Sequence, residues 1–215
     1  MTTKLIPALS LVLVCAAQAA LYVDARVSHL EIDGTPNVGD IGRTLDRDDS
    51  AAVFSLAVGT KLTDRLRAEV RFTDLGEQNL LKVSPYWAIL PPGGEVVLPA
   101  QRYYRYREST RLYSLALPID VVKRDRFSLV ITPVLSVEQS RIEIDDLYLN
   151  VQTTGLTVPS PTRFLTDDRT EVRPGGDLTF GYQATEKLRL TFTYTYLSLR
   201  AYDAHLLGAG VVLTF

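Results

Sequence analysis

The segment LRLTFTYTYL, residues 188 to 197, alternates strictly between two kinds of side chain. One set is leucine, phenylalanine and tyrosine, and the other is arginine and threonine. Successive side chains of a strand point to opposite faces, and these residue types suit a pleated surface, so the segment is predicted to be a strand. The pattern alone leaves open which face is wet. A soluble sandwich would bury the apolar face, whereas a membrane barrel would turn that face to lipid.

Seven further segments alternate in the same way. The eight predicted strands cover 21–32, 51–60, 66–73, 112–122, 127–139, 177–184, 188–196 and 205–215. Short turns follow strands two, four and six, whereas long connections follow strands one, three and five, and a brief one follows strand seven. Outer-membrane barrels have short periplasmic turns and long outside loops, and a soluble sandwich has no reason to sort its connections this way.

The positions of the lysines test independently which face is wet. Of the five lysines, Lys4 lies near the N-terminus, Lys61, Lys123 and Lys187 lie at the three short turns, and Lys82 lies in a long connection. A polar face open to water would carry several lysines. Because no lysine lies in a predicted strand, we predict that the polar face lines a narrow lumen. The expected fold is all-β: an eight-stranded antiparallel up-and-down transmembrane β-barrel with short periplasmic turns and long extracellular loops.

The first residues, MTTKLIPALSLVLVCAAQAA, have the form of an export signal. A lysine precedes an apolar core, and the small-x-small pattern at 17–19 suits signal peptidase. We therefore predict a signal peptide at 1–19 and an outer-membrane barrel domain at 20–215. The only cysteine, Cys15, lies in the signal, so the predicted mature chain has no disulfide. No later apolar run approaches the roughly 18 residues of a membrane helix.

Two stretches resemble the OmpA/OmpX-like family of eight-stranded outer-membrane β-barrels. These are FSLAVGTKLTDRLRAEVRFTDLG at 54–76 and GAGVVLTF at 208–215. The resemblance implies location in the outer membrane, a monomer, and handling by periplasmic chaperones and the barrel-assembly machinery. It assigns the assembly signal to Gly210, Leu213 and Phe215, although Gly208 stands where the family usually has a polar residue. No peptidoglycan-binding domain follows Phe215, so anchoring to the cell wall is not implied.

Eight strands enclose a lumen that side chains just about fill, so a wide water channel is not expected. Several charged residues nevertheless have inward parity. They are Asp24, Arg26, Arg67, Glu69, Arg71, Glu138 and Arg189. Buried charges are tolerated when they are paired, so we predict a structural ion-pair network, with a gated path for ions or small solutes as the alternative. Pro133 has no amide hydrogen for the ladder, and a local bulge is predicted there.

The second long connection contains two unusual segments. The first, QRYYRYREST at 101–110, contains Arg105 and Arg107 and is followed by Arg111. These three arginines are predicted to point outward beside the lipid headgroups. Lipopolysaccharide phosphates would accept charge-assisted hydrogen bonds there, and the alternative is a solvated rim. The apolar segment 84–99 would either fold onto the barrel mouth as a lid or present aromatic residues to a partner.

The sequence gives little support for an enzyme. Only two histidines, His29 and His205, are present, and both have lipid-facing parity near the upper rim. Neither is placed with a serine and an acid for nucleophilic work, and the acidic loop segments lack the spacing of a calcium loop. With a net charge of −2 and no basic run, nucleic acid is not an expected partner. We expect no cofactor, no metal and a non-enzymatic contribution to envelope integrity and surface adhesion. A lipid-modifying enzyme is the remaining alternative.

Overall fold

A computed structural model describes residues 21–33, 43–47, 51–90, 96–151, 156–199 and 203–215. Ten strands and no helix are found in these ranges. The strands are β1 (Leu21–Asp33), β2 (Arg43–Arg47), β3 (Ala51–Lys61), β4 (Arg67–Leu90), β5 (Val96–Ala116), β6 (Ile119–Arg124), β7 (Phe127–Val151), β8 (Leu156–Gln183), β9 (Leu188–Ser198) and β10 (Asp203–Thr214). The predicted signal peptide, 1–19, lies outside the described residues.

The strands form a closed antiparallel barrel with eight positions around the ring. Around the ring the order is β1, β3, β4, β5, β7, β8, β9 and β10, and β10 pairs again with β1. Strand β6 continues β5 at the same position of the ring and pairs with β7. The short β2 pairs with the outer part of β4. The predicted eight-stranded antiparallel barrel is therefore confirmed.

Burial along the strands shows which face is outside. In β9, Phe192 is 52% exposed, whereas the next residue, Thr193, is 3% exposed. The same alternation of exposed apolar and buried polar residues runs along β3, with Phe54 outside and Ser55 inside. The apolar face therefore surrounds the barrel, and the polar face lines the lumen, which is the arrangement of a barrel in lipid.

The two longest connections are predicted to be loops, but their described residues lie largely in strands. A transmembrane strand needs about 9–11 residues, but β7 has 25 and β8 has 28. Beyond the membrane, β4 pairs with β5 as far as Leu90, and β7 pairs with β8 as far as Val151. Neither face of these segments meets lipid, and buried side chains such as Ile142 and Ile144 alternate with polar ones outside. The apolar outward face that identified the other strands is therefore missing there.

The predicted bulge at Pro133 is wrong. The pairing of β7 with β8 runs through Pro133 opposite Gly176 without a shift of register. On the other side, the Leu117 amide donates to the Pro133 carbonyl at 3.1 Å. The missing amide hydrogen is accommodated because the neighbouring strand is interrupted at Leu117 and Pro118, between β5 and β6. The ladder therefore loses a hydrogen bond without gaining a residue.

A bulge occurs instead in β6, close to the short turn that follows it. The register between β6 and β7 shifts between Asp120 and Val122. The extra residue breaks the alternation, so Val121 and Val122 are both about half exposed, at 49% each. Two consecutive apolar side chains thus face lipid close to the periplasmic turn.

Candidate functional site

Five buried charges from three strands meet near the middle of the lumen. They are Asp24 and Arg26 on β1, Glu69 and Arg71 on β4, and Asp177 on β8, and we call them the central ion cluster. The inward parity of each strand brings these side chains together. Two guanidinium groups therefore lie among three carboxylates, out of contact with bulk water.

Asp177 links the two arginines of the central ion cluster. Its Oδ2 atom accepts from Arg26 Nη1 at 3.1 Å and from Arg71 Nη1 at 2.7 Å. Arg26 also donates from Nε to Asp24 at 2.8 Å, and Arg71 donates from Nη2 to Glu69 at 3.0 Å. Each carboxylate is thus paired, as a buried charge requires.

Two hydroxyl groups add to the hydrogen bonding of this cluster. Tyr22 donates to Glu69 at 2.8 Å, and Thr195 donates to Asp177 at 2.9 Å. Gly59 leaves space for the tyrosine, since a Cβ atom at Gly59 would lie 2.4 Å from the Tyr22 ring. The neighbouring strands are therefore shaped around these polar contacts.

The other three charged residues predicted for the lumen make separate contacts. Arg67 pairs with Asp120 at 3.2 Å toward the short-turn end. Glu138 pairs with Arg173 at 3.2 Å toward the long-hairpin end. Arg189 is half-buried at the short-turn end and forms no ion pair among the described residues. The seven predicted charges thus occupy three levels of the barrel.

Sequence reasoning missed three partners in these contacts: Asp120, Arg173 and Asp177. Asp177 is the first residue of a predicted strand, and Arg173 falls in a segment that was predicted to be a loop. Parity could have identified Asp177, because it lies two residues before the inward Thr179. Arg173 gave no such signal, since the alternation ends before it.

An apolar layer fills the lumen on the long-hairpin side of the central ion cluster. It consists of Leu30, Ile32, Val53, Leu75, Leu112, Leu197, Leu199, Ala204 and Leu206, all 8% exposed or less. Two small cavities next to the cluster have volumes of about 10 and 20 Å³. Each has room for about one water molecule. In the described part of the chain, the lumen is therefore packed with side chains along this stretch.

The three arginines predicted for lipopolysaccharide contact have outward parity on β5. Arg107 donates to Asp145 at 2.6 Å, and this hydrogen bond raises the pKa of the Arg107 guanidinium. Arg111 lies 3.8 Å from Asp74 and is exposed. Arg105 is exposed and forms no ion pair with a described residue. Arg105 and Arg111 are thus more available to an external anion than Arg107. The side chains of 84–99, the predicted lid or aromatic surface, lie outside the described residues.

The last strand carries the residues assigned to the assembly signal. Leu213 and Phe215 face outward, at 43% and 75% exposure. A Cβ atom at Gly210 would lie 2.7 Å from Arg26 Cγ and from the Ala25 carbonyl oxygen, so this glycine also makes room inside the lumen. On the outer face near the upper rim, Tyr194 and the Nδ1 atom of His205 are 2.6 Å apart.

Two kinds of feature are absent from the described residues. No helix in the described ranges is long and apolar enough to cross a membrane. No group of three or more histidine, cysteine or carboxylate side chains in those ranges is placed to hold a metal ion.

A closed barrel with an apolar outside and an ion-paired, polar inside defines a class: the transmembrane β-barrels of bacterial outer membranes. No protein-family model matches the chain, and no curated protein matches it either. The solved structures similar to it include Neisserial surface protein A, at 16% identity and a TM-score of 0.49, with 91% of this chain and 97% of that chain covered.

Two other solved structures show the same kind of likeness. Ail, the attachment invasion locus protein of Yersinia pestis, is 10% identical with a TM-score of 0.42, and 92% of this chain and 97% of that chain are covered. The outer-membrane protease OmpT from Escherichia coli is 10% identical with a TM-score of 0.47, at 91% and 97% coverage. At these identities the likeness concerns the fold alone.

Proposed function

We propose that this protein is a non-conducting, non-enzymatic barrel that contributes to the integrity of the outer membrane and offers its long hairpins as an adhesive surface. The observation that carries the proposal is the packed lumen. A central ion cluster, paired throughout, lies directly beneath an apolar layer. An ion would have to displace buried charge pairs and then pass a layer lined mainly by aliphatic side chains, and both steps are costly.

Electrical recording tests the lumen. We expect the refolded protein to insert into planar bilayers without discrete current steps, while a porin added to the same bilayer gives them. The refolding buffer and detergent without protein serve as the blank. Reproducible unitary conductance from the barrel would favour the alternative function, a channel for ions or small solutes.

The outward arginines of β5 support a proposed contact with lipopolysaccharide. Arg105 and Arg111 are exposed on a strand that continues above the membrane, where phosphate groups of the outer leaflet would meet them. Arg107 is already held by Asp145. We therefore assign most of the interaction to Arg105 and Arg111.

Replacement of Arg105 and Arg111 by glutamine should weaken lipopolysaccharide association in a native-gel assay. Arg107→Gln should have a smaller effect because its guanidinium has carboxylate neighbours. The matched control is Arg65→Gln with Arg124→Gln, which removes the same charge at the opposite end of the barrel. Equal association of both double variants would show that the rim is merely solvated.

The proposal also includes a route to the membrane. The chain would be exported by its signal peptide, escorted by periplasmic chaperones and inserted as a monomer by the barrel-assembly machinery. Phe215→Ala and Leu213→Ala should lower the folded yield in outer-membrane fractions without changing refolding in detergent. A loss in detergent as well would mean that these residues stabilise the barrel rather than direct its assembly.

A further inference from the structure

The short-turn end of the lumen opens into a cavity of about 400 Å³. This volume lies within the range of about 300–1,000 Å³ that is common for small-molecule sites. Ser128, Gln183, Arg67 and Arg189 line it, and side chains of the three short turns surround its entrance. Because the short turns of an outer-membrane barrel face the periplasm, the cavity is open to periplasmic solutes.

Arg189 is held in place inside this cavity by an amide. Its Nε atom donates to Gln183 Oε1 at 3.3 Å. The amide nitrogen of Gln183 in turn donates to the carbonyl oxygens of Thr185 at 2.6 Å and Glu186 at 3.3 Å, so the turn fixes its orientation. One edge of the guanidinium is thus positioned by the protein, and the Nη atoms are left without a protein acceptor in the described part of the chain.

Arg189 forms no ion pair with a described residue, although four carboxylates line the cavity, at Asp64, Asp120, Asp125 and Glu186. Asp120 pairs with Arg67 at 3.2 Å. At the entrance, Lys61 donates to Asp64 at 2.7 Å, and this hydrogen bond lowers the pKa of the Asp64 carboxyl group. Among the described residues, Arg189 therefore remains a half-buried cation without an ion-pair partner.

Space around Arg189 is kept open by a glycine. A Cβ atom at Gly181 would lie 2.6 Å from Ser128 Oγ and 3.0 Å from Arg189 Cδ. The serine hydroxyl and the arginine stem consequently lie side by side on the same wall. A hydroxyl donor next to a guanidinium is a suitable pair for an oxyanion.

We propose that this cavity, the periplasmic anion site, binds the carboxylate or phosphate group of a periplasmic solute, with Arg189 as the principal ligand and Ser128 as a second donor. A planar guanidinium matches both groups with two parallel hydrogen bonds. The bound oxyanion would supply the missing counter-charge. The inference rests on the barrel fold and is independent of whether the lumen conducts.

Chemical-shift titration of the refolded barrel in detergent micelles tests the site. In phosphate-free buffer, inorganic phosphate and succinate are added separately, and the side-chain signals of Gln183 and Arg189 are followed. We expect saturable shifts with at least one probe. Saturation by phosphate alone would assign the site to phosphate groups, and saturation by succinate alone would assign it to carboxylates.

Three variants separate the site from general charge effects. Arg189→Gln should weaken binding by roughly ten-fold or more, as expected for loss of a charge-assisted hydrogen bond. Gln183→Leu keeps the charge but releases the guanidinium, so binding should weaken by a smaller factor. Arg65→Gln removes an exposed arginine of a short turn that does not line the cavity, and it should bind like the unmodified protein.

A stability measurement excludes a merely structural role for Arg189. Because this cation has no carboxylate partner, Arg189→Gln should not lower the urea midpoint of unfolding in phosphate-free buffer. The proposal is overturned if neither probe saturates, or if Arg189→Gln binds as tightly as Arg65→Gln. It is equally overturned if Arg189→Gln destabilises the barrel and the unmodified protein binds neither anion.

Discussion

At the scale of single residues, Asp177 connects the two halves of the central ion cluster. Its side chain is fully buried, and it accepts from Arg26, Arg71 and Thr195. Arginines from two different strands therefore depend on one carboxylate. Removing any member leaves a charge in the lumen without its partner, and this costs more than an intact pair contributes.

Replacement of Arg71 by alanine should destabilise the barrel. The substitution leaves Glu69 and Asp177 with fewer cationic partners in a region closed to water, and the expected loss is about 3–5 kcal/mol of unfolding free energy. Urea unfolding in detergent micelles, followed by far-ultraviolet circular dichroism, measures the difference.

Lys61→Gln is the matched control for this change. It also removes a cation from an ion pair, but Lys61 lies in an exposed turn with Asp64, where water screens the interaction. The midpoint of unfolding should scarcely move. Equal effects of the two substitutions would mean that the central ion cluster is hydrated and contributes no special stability.

At the scale of elements, the pairing of β1 with β10 is shaped by a close contact at Gly208. Gly208 lies opposite Ser28, and a Cβ atom there would lie 2.1 Å from Ser28 Oγ and 2.9 Å from the Val27 carbonyl oxygen. The family that the sequence resembles usually has a polar residue at this position. Here the space is already occupied by the serine, which explains the departure.

Gly208→Ala should therefore weaken the contact between the first and last strands. Overpacking of this kind costs about 1–3 kcal/mol, and the urea midpoint should fall accordingly. Ser28→Gly in the same chain should recover part of the loss, because it removes the side chain but not the nearby carbonyl. Additive losses in the double variant would contradict a direct clash.

The parts of the fold that sequence could predict are those in contact with lipid. Alternation was clear where one face was apolar, as at Phe192 and Thr193, and there the strands and their orientation are as predicted. Above the membrane, β5 and β8 each pair with β7, at residues such as Arg107 and Arg169, and there the outward side chains meet water instead of lipid. Pairing with a neighbour, rather than local pattern, makes these segments strands.

The site was partly predictable for a related reason. Parity assigned Arg26 and Arg71 to the lumen, but it gave no distances, so the joining role of Asp177 was missed. The same limit applies to Arg189, which was predicted inward among other charges. Its lack of a carboxylate partner depends on how Gln183 and Asp120 are oriented, and no sequence pattern reports that.

At the scale of the whole molecule, closure of the barrel does not depend on the long hairpins. The ring is complete through pairs such as Phe72 with Tyr113 and Arg71 with Ser114. Asn79 and Arg107 also face each other, so residues 80–106 can be replaced by a two-residue Asn-Gly turn.

The shortened protein should still migrate as a folded barrel. We expect its mobility on SDS gels to change on boiling, as it should for the full chain, although the loss of Tyr104 and Tyr106 uncovers Ile142 and Ile144. If the unboiled band already ran as the unfolded chain, the hairpin would be a necessary part of barrel closure.

The apolar layer described above spans the place where the two ends of the chain meet. Leu30 pairs with Leu206, and Ile32 pairs with Ala204, and all four residues belong to that layer. A barrel that has formed every other pair but not this seam would hold an opened hydrophobic core facing water. Joining the first strand to the last is therefore the same event as drying the interior, which makes closure an all-or-none step instead of a gradual zipping of strands.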